Sequence, residues 1–172
     1  MRVLLLDRDG TLNIDNGHVY TPDDLQLLPD VIDALTRFRN AGYSFFIMTN
    51  QGAIGKGLQT MEDYEDTESC LESLLLEGGI EIEGTYFCAH HPDDGCTCRK
   101  PAIGLWKQLQ DDHDDVSASD CIMIGDKDTD ILFGQAIGAK TARIASGQYP
   151  ANVKADYEVR DLAALADILL VS

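Results

Sequence analysis

The segment Asp7-Arg8-Asp9-Gly10-Thr11 places two carboxylates at i and i+2. On an extended strand that spacing points both side chains to one side. Two anions so close require a cation or a shared proton. Asp126 follows a later apolar run, Cys121 to Ile124 with Gly125, and adds a third acidic group. Hard carboxylate oxygens converging on one edge of a sheet suit Mg²⁺. One acidic residue at a strand end is as readily a helix cap or a solvated turn, but three at corresponding strand ends weaken that reading. Thr49-Asn50, after another apolar run, offers a hydroxyl and an amide suited to phosphoryl oxygens, and Arg99, Lys100 and Lys127 add positive charge. The chemistry in view is metal-assisted handling of a phosphorylated ligand.

A second group of residues has metal-ligand spacing. Cys88, Cys96 and Cys98 lie within eleven residues together with His90, in a chain with an odd number of cysteines, five. Cys96 and Cys98 are too close in sequence for an unstrained disulfide. Three thiolates and one imidazole make a complete tetrahedral set for structural Zn²⁺ with no open position. Cys70 and Cys121 sit in apolar segments and read as buried packing residues. His91 and His113 read as surface residues and Trp106 as packing on its helix.

These groups need a scaffold that brings strand ends together. Val3 to Leu6 is a short continuous apolar run, the pattern of a strand buried on both faces of a parallel sheet, and it stops at Asp7. Tyr43 to Met48, about Thr85 to Cys88, Cys121 to Ile124 and Thr141 to Ile144 read the same way. Between them, Asp30 offers an N-cap to a helix carrying Val31, Leu35 and Phe38 and stopped by Gly42. Thr60 with Asp63 resembles a capping box for a helix to about Glu77. Further helices are expected around Ile103 to Leu109, over Ile131, Leu132 and Ala136, and from Leu162 to Leu170. Such alternation specifies an α/β fold, a doubly wound, Rossmann-like parallel sheet that binds ligands beyond the carboxyl ends of its strands. With no internal repeat or linker, residues 1–172 are expected to form a single domain with a zinc loop at 88–98.

Composition narrows the partners. The 172 residues carry 13 Lys and Arg against 30 Asp and Glu, a formal charge of −17. Nucleic acids and anionic membranes are normally bound through surplus Lys and Arg, so neither is an expected partner. No apolar run approaches the ~20 residues of a bilayer span, and with the cysteine cluster this gives a cytoplasmic expectation. Five of the 13 basic residues, Arg8, Lys56, Arg99, Lys100 and Lys127, fall in the motif loops, a concentration that an anionic ligand needs and an acidic surface does not.

Asp-x-Asp-Gly-Thr at residues 7 to 11, Thr49, Lys100 and Gly125-Asp126-x-x-x-Asp130 occur in the order of the haloacid dehalogenase-like phosphohydrolases, which the chain resembles over essentially its whole length. More narrowly, Thr49-Asn50-Gln51, Cys88-x-His90-His91-Pro92, Cys96-x-Cys98-Arg99-Lys100-Pro101 and Gly125-Asp126-Lys127 resemble the zinc-containing subgroup. That subgroup holds the D-glycero-D-manno-heptose 1,7-bisphosphate 7-phosphatases and the histidinol-phosphate phosphatases. The resemblance implies that Asp7 is a nucleophile forming an aspartyl-phosphate and Asp9 a general acid and then base. It implies Mg²⁺ on the Asp7 carboxylate, the Asp9 carbonyl and Asp126, and charge stabilisation by Thr49 and Lys100. Asp130 is expected to orient Lys127 or a metal-bound water. No insertion of domain size lies between the motifs beyond one helix and the zinc loop, so a capless enzyme acting on a small phosphorylated metabolite is implied, with a monomer expected.

Substrate choice then falls to short loops. Asp15-Asn16-Gly17-His18-Val19-Tyr20 resembles the sugar-gripping loop of the heptose enzymes, although an aromatic residue is usual where His18 stands. Asn50, Gln51, Gly52, Arg99 and Lys127 are expected beside it, with Gly52 and Lys56 departing somewhat from both patterns. Only five residues separate His90 from Cys96, a short form more like the histidinol phosphatases. The heptose bisphosphate is the favoured reading. A phospho-accepting signalling receiver also gathers acidic residues and a Lys on a doubly wound sheet, but it lacks an acid two residues after the phosphorylated Asp and has no zinc loop.

Overall fold

The computed structural model describes residues 1–171. Six parallel strands, β1 (Arg2–Leu6), β2 (Tyr43–Asn50), β3 (Gly84–Cys88), β4 (Cys121–Gly125), β5 (Lys140–Ile144) and β6 (Tyr157–Val159), form one sheet in the order β3-β2-β1-β4-β5-β6. The connecting helices are α1 (Val31–Asn40), α2 (Gly52–Gly55), α3 (Met61–Glu77), α4 (Gly104–Asp112), α5 (Asp128–Ile137) and α6 (Leu162–Leu169).

Alternate residues of β1 face opposite sides of the sheet and nucleate two cores. Leu4 and Leu6 pack with Val31, Leu35 and Phe38 of α1, Leu71 and Leu75 of α3, and Leu165 of α6. Val3 and Leu5 pack with Leu105, Trp106 and Leu109 of α4 and Phe133 of α5. Trp106 is therefore a packing residue, 5% exposed. Helices on both faces explain why the strands read as unbroken apolar runs rather than as alternation.

The helix ends match their sequence signals in most places. Thr60 Oγ1 accepts from Asp63 N at 3.0 Å, and Thr60 N donates back to the Asp63 carboxylate. Asp30 does stand at the N-cap of α1, but its φ is +63° and its side chain makes no cap bond, so it turns the chain after Pro29 without capping the helix. Cys121 is buried as expected, whereas Cys70, on the flank of α3, is only half-buried. His91 and His113 are likewise half-buried, His113 lying edge-on to Phe46. The short elements β6 and α2 have no counterpart in the sequence reading. Between β2 and β3 the described residues hold only α2 and α3, with no separate cap domain. No helix of the described residues is long and apolar enough to cross a membrane.

The strand order reverses direction between β1 and β4, and a crevice opens there beyond the carboxyl ends. Leu6 is in register with Ile124 on one side and Ile47 on the other, and Asp7 N continues the ladder to Ile124 O at 2.9 Å. Register alone therefore delivers Asp7, Asp126 and Thr49 to one edge. Asn50 is paired with Cys88, so the cysteine loop leaves the sheet at that edge and returns to it at Lys100.

Candidate active site

Lys100 lies at the centre of the crevice, 2% exposed. Its ammonium donates to Asp7 Oδ1 at 2.9 Å, Asp130 Oδ1 at 2.6 Å and the Met48 carbonyl at 2.6 Å, which uses all three of its N–H donors. Burial alone would lower its pKa, but Asp130 and Asp7 outweigh burial and leave it raised. Asn50 fixes the Lys100 backbone from both sides, accepting from Lys100 N at 2.9 Å and donating to Lys100 O at 3.1 Å. The Asn50 amide is thereby committed to positioning Lys100.

Asp130 has a partner beyond the expected Lys127 or metal-bound water. Its carboxylate pairs with the Lys100 ammonium through Oδ1 and accepts from the Lys127 backbone N through Oδ2 at 3.1 Å, so the side chain it orients is Lys100 and not Lys127. The reason is geometric: Asp130 is the third residue of α5, close to the backbone of the preceding turn, and it faces inward across the sheet edge. Gly10 has a φ of +86°, and a Cβ there would collide with the Asp126 carboxylate, so the glycine of the first motif is what admits Asp126 beside Asp7.

The acidic set fits a cation. Both carboxylate oxygens of Asp126 are buried without a hydrogen-bond partner, and oxygens of Asp7, Asp126 and Asp130 lie within 4.8 Å of one another. Burial, the Asp7 charge and other nearby carboxylates push Asp126 up to about 7. Burial and Asp130 likewise raise Asp7 above the usual carboxylate range despite its Lys100 partner. Burying oxygens without partners is costly, and a divalent cation is the group that would satisfy them.

Asp9 is held in a different way. Its carboxylate accepts from Asn13 Nδ2 at 2.9 Å, Gln51 Nε2 at 3.0 Å and Arg8 Nε and Nη2 at 3.3 Å. Gln51 also donates to Thr49 Oγ1 at 2.9 Å and accepts from Arg8 at 3.0 Å, so its amide locks the Asp9 and Thr49 side chains together. Arg8 itself is fully buried and pairs with Glu68 of α3 at 3.3 Å. Counted by sequence among the basic residues for an anionic ligand, Arg8 is spent instead on holding Asp9. A sequence signal for this existed: Glu68 stands with Tyr64, Leu71 and Leu75 on the buried stripe of α3, where an acidic side chain needs a partner.

Two adjoining cavities, each about 210 Å³, open over these groups. Asp7, Lys100, Arg99 and Asp130 line one; Asp15, Gly17, Val19, Tyr20 and Tyr149 line the other; Asp9, Asn50, Gly52, Lys56 and Lys127 border both. Arg99 Nη1 is buried without a partner, 3.1 Å from where a Cβ on Gly52 would sit, so Gly52 keeps room beside that guanidinium. Asn16 and His18 are exposed and line neither cavity. Tyr149 escaped the sequence reading, because the segment after β5 carries no motif.

The second metal-type cluster is assembled as its spacing suggested. Cys88 Sγ lies 3.0 Å from Cys98 Sγ and 3.6 Å from Cys96 Sγ, and His90 Nδ1 is 3.1 Å from Cys98 Sγ and 3.4 Å from Cys88 Sγ. None of these cysteines is in a disulfide. A tetrahedral site with metal–sulfur bonds near 2.3 Å has ligand–ligand edges of about 3.8 Å, so the four atoms fit one closed zinc-type site.

A doubly wound sheet with paired carboxylates and a buried Lys at its switch point defines a haloacid dehalogenase-like hydrolase. The family described as HAD-hyrolase-like matches residues 97–168. The chain is 40% identical over 134 residues to the D-glycero-beta-D-manno-heptose-1,7-bisphosphate 7-phosphatase of Helicobacter pylori strain J99, covering 77% of this chain and 76% of that one. It is 33% identical over 174 residues to the Yersinia pestis enzyme of the same name, covering 94% and 92%. The crystal structure of D,D-heptose 1,7-bisphosphate phosphatase from B. bronchiseptica complexed with magnesium and phosphate superposes with a TM-score of 0.86 at 28% identity, covering 99% of this chain and 98% of that chain. The chain belongs to the family of the heptose-1,7-bisphosphate 7-phosphatases.

Proposed function

We propose that this chain removes the C7 phosphate of D-glycero-D-manno-heptose 1,7-bisphosphate through an aspartyl-phosphate on Asp7, residues 1–172 acting as one domain. The observation that carries the chemistry is the Asp7–Lys100–Asp130 cluster at the switch point, with Asp9 two residues on and the Asp126 carboxylate unpartnered beside it. The names of the relatives support the substrate.

In the first step an Asp7 oxygen attacks phosphorus and the bond to the substrate oxygen breaks, while Asp9 gives that oxygen a proton. In the second, Asp9 takes a proton from water, whose oxygen attacks phosphorus and releases Asp7. Asn13, Gln51 and Arg8 fix Asp9 for both transfers. Lys100 aims Asp7 and offsets its charge, and Thr49, whose hydroxyl is held by Gln51, would stabilise charge on the transferred group. Asp7, the Asp9 carbonyl and Asp126 would hold Mg²⁺, whose charge lets an anionic nucleophile approach an anionic ester. Arg99, Lys56 and Lys127 supply positive charge around the cavities, and Asp15 with Gly17 borders the sugar.

Purified protein should release phosphate from the heptose bisphosphate, lose that activity with EDTA and recover it with Mg²⁺. Absence of turnover, or turnover that ignores the metal, would overturn the reading. Histidinol phosphate is the competing substrate, on the strength of the short His90 to Cys96 spacing.

Metal binding should also register in stability. The folded chain holds the Asp126 proton up to about 7, whereas an exposed Asp releases it near 3.8. Without metal, the unfolded chain therefore sheds protons that the folded chain keeps as pH rises through this window, and folded-state stability falls. A cation replaces those protons, so millimolar Mg²⁺ should raise the melting temperature more at about pH 8 than at about pH 5. An equal rise at both would contradict a site built on Asp126.

Cys88, His90, Cys96 and Cys98 would hold Zn²⁺ in a structural role, fixing the loop that leads into Arg99 and Lys100. Metal analysis should find one zinc per chain. Cys98→Ser should lose it and lower the unfolding free energy by more than about 2 kcal/mol. A Cys98→Ser protein with full zinc content would refute the ligand set.

A further inference from the structure

The segment joining β5 to β6 forms the wall of the sugar-side cavity through Tyr149. It is anchored at the start of α5. Asp128 accepts from Asn152 N at 3.1 Å and Val153 N at 3.2 Å, and its carboxylate pairs at 2.7 Å with Arg143, itself 2% exposed. This anchor sets Tyr149 beside Lys127, the residue before Asp128. The Tyr149 hydroxyl donates to Asp15 Oδ2 at 2.6 Å, and Lys127 Nζ stands 4.5 Å from the centre of the Tyr149 ring. Lys127 Nζ is 3.5 Å from the same Asp15 oxygen, while Asp15 Oδ1 accepts from Gly17 N at 3.0 Å. Burial pushes the Tyr149 hydroxyl up to about 12, which keeps it a donor. Burial would also raise Asp15, but the Tyr149 hydroxyl, Gly17 N and Lys127 outweigh it and leave a carboxylate.

We propose that Tyr149 is a specificity-determining positioning residue, whose hydroxyl shares Asp15 Oδ2 with Lys127 and whose ring faces the Lys127 ammonium, so that the carboxylate and the ammonium are set as acceptor and donor for the hydroxyl-bearing end of the substrate. The inference rests on the phosphatase reading above and deepens it. A carboxylate, an ammonium and a phenol side by side present alternating acceptors and donors, the pattern that vicinal hydroxyls of a polyol phosphate satisfy. Without the Tyr149 hydroxyl, Asp15 is left with Lys127 as its nearest side-chain partner. The pair, 3.5 Å apart while Tyr149 shares the carboxylate, then tightens, and both groups are withdrawn from the substrate. Tyr149 acts on recognition and not on the reacting phosphorus, since its contacts are to Asp15 and Lys127 and it does not line the cavity holding Asp7.

The test is Tyr149→Phe, assayed on the heptose bisphosphate, on p-nitrophenyl phosphate, and on whichever phosphate ester the wild type hydrolyses best. KM for the polyol substrate should rise about tenfold with kcat within about twofold, as loss of one hydrogen bond to a charged group predicts. The effect on p-nitrophenyl phosphate, which carries no hydroxyl for Asp15, should be at least about fivefold smaller. Tyr149→Phe combined with Asp15→Asn should cost no more than Asp15→Asn alone. Equal losses on both esters, no change on either, or full additivity in the double variant would overturn the inference. A wild type inactive on the heptose bisphosphate would defeat the substrate reading instead, and the Tyr149 comparison would then be read on the preferred ester.

Discussion

Asp7→Asn is expected to lower kcat by at least about 10⁴-fold while leaving the protein folded. Asn has nearly the shape of Asp but cannot form an acyl-phosphate, and the ammonium of Lys100 keeps Asp130 and the Met48 carbonyl as partners. Removing one of three clustered carboxylates also relieves repulsion with Asp130 and Asp126, so the melting temperature should hold or rise. Steady-state phosphate release and a thermal melt on the same preparation separate these effects. Turnover within tenfold of wild type would eliminate Asp7 as the nucleophile.

Lys100→Met should rank second, with kcat lower by about 10²–10³-fold and a marked loss of stability. Met fills the aliphatic volume of Lys but removes the charge and the three hydrogen bonds of the ammonium. Asp7 and Asp130, both buried, then face each other and Asp126 without the ammonium that bonds them directly, Lys127 being the remaining cation nearby. Breaking a buried ion pair from one side costs about 3–5 kcal/mol, because the partner is left charged and unpaired. Mg²⁺ should recover part of the stability of Lys100→Met, since it supplies charge at the same carboxylates, but not the rate, since Asp7 is no longer aimed. A folded Lys100→Met protein with near-normal kcat would show that Lys100 is a packing residue.

Much of this arrangement could be read from the chain. Each major strand is a short apolar run because helices cover both faces, and each ends at a polar motif because those ends form the crevice. Asp7, Thr49 and Asp126 were legible because parallel register carries equivalent positions to one edge. The zinc-type ligands were legible because all four lie within eleven residues, where spacing constrains geometry. What escaped depends on contacts between distant segments. Arg8 finds Glu68 sixty positions on, and Asp130 finds the Lys100 ammonium rather than the side chain of its sequence neighbour Lys127, through packing that no local pattern encodes. Tyr149 reaches Asp15 across 134 positions, from a segment whose Gly147 and Pro150 announce a turn and nothing more. Asp30 shows the converse, since the residue type favours a cap while the turn after Pro29 places it in a left-handed conformation from which it does not cap.

The acidic charge of the whole molecule and the cationic lining of its cavities also reconcile at this level. Three of the acidic residues converge where a divalent cation is wanted, and Arg99, Lys100, Lys56 and Lys127 border the same space. The net charge of −17 repels a polyanion as a whole, while the basic residues at the cavities attract a small anion locally.

The most direct test is a competition followed by ³¹P NMR, with the Mg²⁺-supplemented protein acting on an equimolar mixture of D-glycero-D-manno-heptose 1,7-bisphosphate and histidinol phosphate. Relative rates in a mixture report the ratio of kcat/KM values. The C7 phosphate resonance should disappear first, with the C1 phosphate retained and histidinol phosphate persisting. Earlier consumption of histidinol phosphate, or loss of the C1 phosphate, would contradict the assignment.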